Sequence, residues 1–435
     1  MLTTPLTVLS RTRSRHRAFK LVAAASVCNF LEMYDFMVFG YYAPWIARAF
    51  FPFTNVFFSL MLALVTFGAG FLMRPVGAVV LGAYIDNRGR RAGMLLTSVL
   101  MLLGTLTVAC VPGYATLGLL SPLLVLAGRL VQGLAAGAIV GGVSVYLSEV
   151  ATPGHRGFYV SWQSASQQVA VVMASLIGIL VNLMLPAPAV DQWGWRIPFY
   201  LGGLLIPVFF VMQRVLIESP EFARRATVHR PTLRETLRGL AINARVIGLA
   251  TVLVILTTVS FYLITAFTPT YGTTVLHLSL RQSLTVTLCI GTSNFVLLPL
   301  MGALSDRIGR LPLLRYSSVA ALLTGYPALL LMVGAPSFAH LLAVELFFSV
   351  IYAGYSGAMI VFLTEIMPIE VRVTGFSLAY SLAVGIFGGF TPAICTWLIH
   401  VSGNKAAPGI WLAGAALIAL LATFQFTKRP QTEKK

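Results

Sequence analysis

Five charged side chains stand inside long apolar runs of this chain: Glu32, Asp35, Arg74, Arg129 and Glu345. A charge at the middle of a bilayer costs about 2.5–3.5 kcal/mol on insertion scales, so such residues are retained where they bind or move something. Glu32 and Asp35 are three positions apart and share one helical face. Two neighbouring carboxylates raise each other's proton affinity, which suits them to hold protons near neutral pH. Asp35, the deeper of the two, is the expected titrating group. Arg74 and Arg129 present planar guanidinium forks that match carboxylates. Two other readings stay open at this point: one carboxylate pairs with Arg74 as a structural ion pair, and Arg129 is a structural or gating charge. Glu345 lies only a few residues inside its run and is expected to snorkel to the nearer interface.

Uncharged polar residues accompany these charges. Gln163 and Gln167 share a face at i,i+4, beside Gln168, Ser161, Ser164 and Ser166. Lipid does not reward such a run unless it faces a cavity or another helix. Thr257, Thr258, Tyr262, Thr265 and Thr268 form a second polar stripe, with Asn294, Tyr352 and Tyr355 further along. Tyr34, Tyr262 and Tyr355 are candidate hydroxyl donors to a bound anion, and interhelical bonding is the competing role for each. His277, His340 and His400 fall near loops and read as solvated helix ends.

The elements that must position these groups are membrane helices. Runs of about 20 apolar residues, the span of a bilayer, occur at 20–46, 56–82, 92–111, 119–147, 158–185, 196–216, 246–271, 283–304, 313–333, 339–364, 374–401 and 409–427. With 58% hydrophobic residues, 10% charged residues and a mean hydropathy of +0.87, the chain predicts an all-α membrane protein of twelve transmembrane helices. The formal charge of +17 raises the question of nucleic acid, but the 30 Lys and Arg are distributed by loop. Twenty-four fall on one side, and only Arg48, Arg196, Arg281 and Lys405 on the other. That bias is the positive-inside signal, which sets both termini in the cytoplasm, and no soluble basic domain is left to hold a duplex. The apolar stretch after Lys20 is too long for a signal-peptide core and reads as a retained first helix. The four cysteines lie within spans without paired spacing and read as inert. No phosphate loop, metal-ligand cluster or nucleophile set is present, so no enzyme activity, metal or cofactor is expected.

One signature occurs twice. Gly82-Ala-Tyr-Ile-Asp86-Asn-Arg88-Gly89-Arg90-Arg91 returns as Gly302-Ala-Leu-Ser-Asp306-Arg307-Ile-Gly309-Arg310, offset by 220 residues. A second pair, Leu147-Ser-Glu149 with Arg156 and Leu363-Thr-Glu365 with Arg372, repeats at an offset of 216. Duplicated halves are how many secondary transporters are built. The expected halves are 1–217 and 246–435, joined by a hydrophilic cytoplasmic linker at 218–245. In each loop the glycine permits close helix approach, and Asp86 or Asp306 can pair with Arg90 or Arg310 or with a helix N-terminus. Together with Glu149, Arg156, Glu365 and Arg372, these residues are expected to act as a gate that latches the cytoplasmic side.

The duplicated loop resembles the signature of the major facilitator superfamily, and Arg129-Leu-Val-Gln132-Gly133 with Gly137, Gly141 and Gly142 resembles its fourth-helix motif. Asn29-Phe-Leu-Glu32-Met-Tyr34-Asp35-Phe36, Phe71-Leu-Met-Arg74-Pro75-Val-Gly77 and Trp193-Gly-Trp195-Arg196-Ile-Pro198 are similar to the metabolite:proton symporter branch. Within it, Tyr146-Leu-Ser-Glu149, Ser161-Trp162-Gln163-Ser-Ala-Ser166-Gln167-Gln168 and Thr268-Pro269-Thr-Tyr271-Gly272 look like citrate and tricarballylate symporters. The resemblance spans about 20–427 and implies a rocking two-half fold with a central site. It implies proton-coupled uptake of a tricarboxylate, with Asp35 and Glu32 carrying protons and Arg74, Arg129, Gln163, Gln167, Tyr34, Tyr262 and Tyr355 holding the anion.

Ile139 departs from the branch, which typically carries Glu at that place on the fourth helix. Its loss throws the coupling work onto Glu32 and Asp35, or weakens coupling. The expected protein is a proton-coupled symporter of citrate or a close tricarboxylate, acting as a monomer in a bacterial inner membrane. Tricarballylate is the nearest alternative, and an osmolyte such as betaine or proline a more distant one, which would need an aromatic box more than two buried arginines.

Overall fold

The computed structural model describes residues 30, 32–88, 90–137, 140–204, 233–368 and 371–426. Among these residues every regular element is helical. Backbone groups in hydrocarbon must find partners within their own segment, and this is why each apolar run closes into a helix.

Twelve principal helices follow in order, with short helical turns between some of them. They are α1 (32–50, with a turn at Tyr42), α2 (Val56–Leu72, resuming as Arg74–Arg88), α3 (Arg90–Cys110), α4 (Leu120–Ala136, resuming as Val140–Val150) and α5 (Arg156–Met184). Next come α6 (described over 197–204), α7 (Ala244–Tyr262, a π-turn at Leu263–Phe267, then Thr268–Thr274), α8 (Leu280–Ile308) and α9 (Arg310–Gly334). Last are α10 (Phe338–Ile366), α11 (Arg372–Ala383, a π-turn at Val384–Gly388, then Thr391–Ser402) and α12 (Pro408–Gln425). Nine of these among the described residues are long and apolar enough to cross a membrane, whereas the apolar part of α3 is shorter, Leu95–Cys110. The chain is an all-α membrane protein with two six-helix halves. The boundary expected at 217 and 218 lies outside the described residues; Leu233–Ile242, inside the expected linker, forms a further short helix.

Enclosure differs sharply among the helices. The most apolar eighteen residues of α7 and α10 are 78% and 83% buried, against 33% in α9. The polar stripes of α7 and α10 therefore line the interior, while α9 turns Leu323, Leu330 and Leu331 outward. Both π-turns run into a Thr-Pro step, Thr268-Pro269 and Thr391-Pro392. Proline lacks an N–H and its ring crowds the carbonyl four residues back, so the ladder widens locally to i→i+5 before the helix resumes.

The halves meet along α5 and α8, α2 and α11, α4 with α10 and α11, and α5 with α10. At Gly302, the glycine of the second signature, an added Cβ would run into the Gly157 backbone and the Ser161 hydroxyl. The close approach inferred from sequence is thus made between α8 and α5. Near that end Thr364 bonds Ser148 at 3.3 Å. At the opposite end the Phe57 and His400 rings stack at 3.7 Å, and a Cβ on Gly178 would lie 2.9 Å from Leu284. The seam is in contact at both ends, and His400, exposed in the last turn of its helix as expected, stacks on Phe57 there.

Candidate functional site

The site begins where α2 restarts. Met73 interrupts the helix, and Arg74 opens the next segment with its side chain turned inward, 1% exposed. Its Nη2 donates to Glu32 Oε1, also 1% exposed, on α1. The guanidinium lies 4.7 Å from the Phe71 ring centroid and 5.2 Å from that of Phe36. Two aromatic faces lower the cost of burying the cation in addition to the ion pair.

The other half closes over this pair with phenols. Tyr262 of α7 packs edge-on against Phe71, with centroids 5.2 Å apart. Tyr262 and Tyr380 of α11 are both within electrostatic reach of Arg74 and Glu32, and Tyr352 of α10 is within reach of both tyrosines. Gln167 of α5 lies within interaction distance of the Tyr380 hydroxyl. Gly388, inside the α11 π-turn, permits this approach, because a Cβ there would strike the Thr258 hydroxyl and the Tyr262 ring. Several fully buried polar atoms have no protein partner: Glu32 Oε2, Arg74 Nε, both ends of the Gln168 amide, and the hydroxyls of Thr257 and Thr258. Buried polar atoms normally find partners, and of these Glu32, Arg74 and Thr258 lie together about Tyr262, where an anion could supply acceptors and donors between the halves.

Asp35 and Arg129 form a separate network. Arg129 Nη1 donates to Asp35 Oδ2 at 2.7 Å and to Gln132 Oε1 at 2.8 Å. Gln132 Nε2 donates to the same Asp35 oxygen at 2.8 Å and to Thr105 Oγ1 at 2.9 Å. The Arg129 guanidinium lies 3.9 Å from the Phe39 ring centroid. All of these partners come from α1, α3 and α4. Glu32 and Asp35 share a helix face as the spacing indicates, yet each meets its own arginine before it meets the other. Two ion pairs replace the expected carboxylate couple.

The remaining candidates divide. Gln163 is buried and its Oε1 accepts from Ser164 at 3.2 Å. Tyr34 donates to the Pro198 carbonyl at 2.9 Å and Tyr355 to the Leu253 carbonyl at 2.8 Å, so both hydroxyls are committed to the backbone of neighbouring helices. Sequence reasoning missed Tyr380, an isolated tyrosine in an apolar run with no periodic signal. It also gave no role to Gln132, although that residue stands inside the fourth-helix motif.

The second copy of the signature makes a polar cluster across the seam. Asp306 accepts the Gly157 N–H at 2.8 Å and the Phe158 N–H at 3.1 Å, capping the N-terminus of α5 across the seam. A carboxylate is stabilised there by unpaired N–H groups and the helix dipole. Arg310 holds Asp306 at 2.8 Å, Ser305 Oγ at 2.7 Å and Glu365 at 3.3 Å. Arg372 donates to the Met367 carbonyl at 3.4 Å, so Glu365 pairs with Arg310 and not with Arg372. Glu149 and Arg156 are exposed. The side chains of Asp86 and Arg90, and residue Ile139, lie outside the described residues.

Glu345 overturns its expectation. It does not snorkel but is 4% exposed, its Oε1 accepting from Thr268 Oγ1 at 2.9 Å. The π-turned α7 and the first turn of α12 cover it, which its distance from the helix end could not reveal.

The family profile described as Major Facilitator Superfamily matches residues 25–392. The citrate-proton symporter of Salmonella typhi is 54% identical over 410 residues, covering 94% of each chain. The citrate-proton symporter of Klebsiella pneumoniae is 53% identical over 401 residues, 92% of this chain and 90% of that one. Among solved structures, the xylose transporter XylE from E. coli in a partially occluded inward-open conformation superposes with a TM-score of 0.75 at 18% identity, covering 96% of this chain and 99% of that one.

Proposed function

Because the chain belongs to the major facilitator superfamily, we propose that it is a secondary transporter that takes up citrate, or a closely related tricarboxylate, together with protons by alternating access. The observation that carries the reading is the Arg74–Glu32 pair, buried at the seam beneath Tyr262 and Tyr380. It is supported by two relatives above half identity that are described as citrate-proton symporters.

The pair offers a direct coupling device. A proton on Glu32 discharges the carboxylate that Arg74 holds, and the freed guanidinium takes a substrate carboxylate in a bidentate fork. The substrate anion and the Glu32 carboxylate compete for one cation, so binding substrate favours binding a proton. Gln167, Gln168, Thr257 and Thr258 supply hydrogen bonds to the other carboxyl and hydroxyl oxygens. Gln163 stands one turn from Gln167 on the same face. Asp35, paired with Arg129, is a second proton site that adjusts packing within the first half. The Asp306–Arg310–Glu365 cluster keeps one end of the seam closed until the halves rock, with Asp86, Arg90, Glu149, Arg156 and Arg372 acting at the same end. Protons are the only coupling species, and the carrier works as a monomer in a bacterial inner membrane with both termini in the cytoplasm.

Labelled citrate uptake into proteoliposomes, with and without an imposed pH gradient, tests this reading. Uptake should require the gradient and fall at least tenfold in Glu32→Gln and Asp35→Asn, while exchange of internal for external citrate persists. Gradient-independent uptake would make the protein a facilitator. Absence of citrate uptake in a folded protein, with uptake of tricarballylate or betaine instead, would reassign the substrate.

A further inference from the structure

Three carboxylates among the described residues are buried in the membrane-spanning helices, and two of them have an arginine. Glu345 does not: its Oε1 takes one hydrogen bond from Thr268, and its Oε2 has no protein partner. Glu345 lines a small cavity with room for about one water, together with Leu263, Phe267, Tyr271, Leu329 and Phe348. The titratable group facing Glu345 from α7 is the Tyr271 phenol, whose hydroxyl donates to the Lys405 carbonyl at 2.8 Å. The start of α12 and the body of α9 contribute Pro408 and Leu329. No ion pair reaches Glu345 from the described residues.

An ionised carboxylate with one neutral donor and apolar walls lacks compensation for its lost hydration. A neutral acid fits the same place, with Thr268 bonding the carbonyl oxygen and the hydroxyl turned to the cavity. Thr268 is the first residue after the α7 π-turn. π-turns occur frequently at functional sites, and this one interrupts the regular ladder just before Thr268, which gives the 268–274 segment a place to swing and carry away both the donor and the cover. The site lies inside the second half, among α7, α9, α10 and α12, seven residues into α10 and so toward the end of the helix opposite to Glu365.

We propose that Glu345 is a proton-binding site of the second half. It holds its proton while both ends of the seam are closed and exchanges it with water when α7 moves at the Thr268 hinge. The step is a plain protonation: the carboxylate takes H⁺ from water at the open end and returns it to water, with no other bond made or broken. The proposal rests on proton-coupled transport, and goes beyond it by placing a coupling proton outside the arginine-paired carboxylates.

Two measurements test it. In proteoliposomes, Glu345→Gln should keep citrate exchange within about twofold of the wild type. At a gradient of one pH unit its accumulation should fall about tenfold, the factor carried by one coupled proton. Unchanged accumulation overturns the proposal. The second readout needs no substrate: infrared difference spectra of the full-length protein between acidic and alkaline buffer should show a protonated-carboxyl band that disappears in Glu345→Gln and shifts in frequency in Glu345→Asp. A wild-type band set untouched by both variants overturns the proposal even if citrate proves to be the wrong substrate. The Glu345→Asp shift identifies the group should the Gln variant fail to insert.

Discussion

Removing one member of a buried ion pair leaves the other as an uncompensated charge, which costs about 3–5 kcal/mol in proteins. Asp35→Asn should therefore lower the thermal midpoint of the detergent-solubilised protein markedly, because Arg129 loses the one carboxylate that pairs with it among the described residues. The double variant Asp35→Asn with Arg129→Gln should recover a large part of that loss, and purely additive losses would show that the pair is not the source. At the Arg74 site the expected result differs. Arg74→Lys keeps the charge but loses the planar fork, so the KM for substrate should rise at least tenfold with little change in melting. The charged residues themselves were legible in the sequence because charges are rare within apolar spans. Their pairing was not, since Glu32 and Arg74 are 42 residues apart and Asp35 and Arg129 are 94 apart. Tyr380 left no trace for the same reason that Glu345 was misread: what matters for each is the helix that covers it, and a single sequence does not show which helix that is.

The helices were legible from hydropathy to within a few residues at most ends, for α1 less well, since it continues through a turn at Tyr42 to Phe50. The π-turns were not, because a Thr-Pro step inside an apolar run is equally compatible with a simple kink. Pro269→Ala restores an N–H and removes the ring, and should tighten α7 toward a regular ladder. Transport should slow several-fold without loss of expression, measured as initial uptake rate per folded carrier. The Gly157–Gly302 contact has less tolerance. Gly302→Val forces α8 away from α5 over the stretch that carries Asp306, so the α5 cap should be lost. Protection of the Gly157 and Phe158 amides in hydrogen exchange would then fall; unchanged protection would mean that the cap forms without the close approach.

Across the whole molecule the halves touch at both ends at once. Cysteines placed at 148 and 364, where the native hydroxyls are 3.3 Å apart, lie within reach of a disulfide. Oxidation should abolish uptake and reduction restore it, whereas continued uptake in the cross-linked protein would show that this end need not open. The same architecture has a consequence for biogenesis. The first helix carries two carboxylates whose partners are not yet made when it leaves the ribosome. At about 5–20 residues per second, Arg74 follows Glu32 by roughly 2–8 seconds and Arg129 follows Asp35 by roughly 5–20 seconds. For that interval α1 holds two unpaired acids that lipid disfavours, so its settled position awaits α2 and α4. The order of synthesis then dictates an order of assembly, in which the first helix to emerge is among the last of its half to be locked in place.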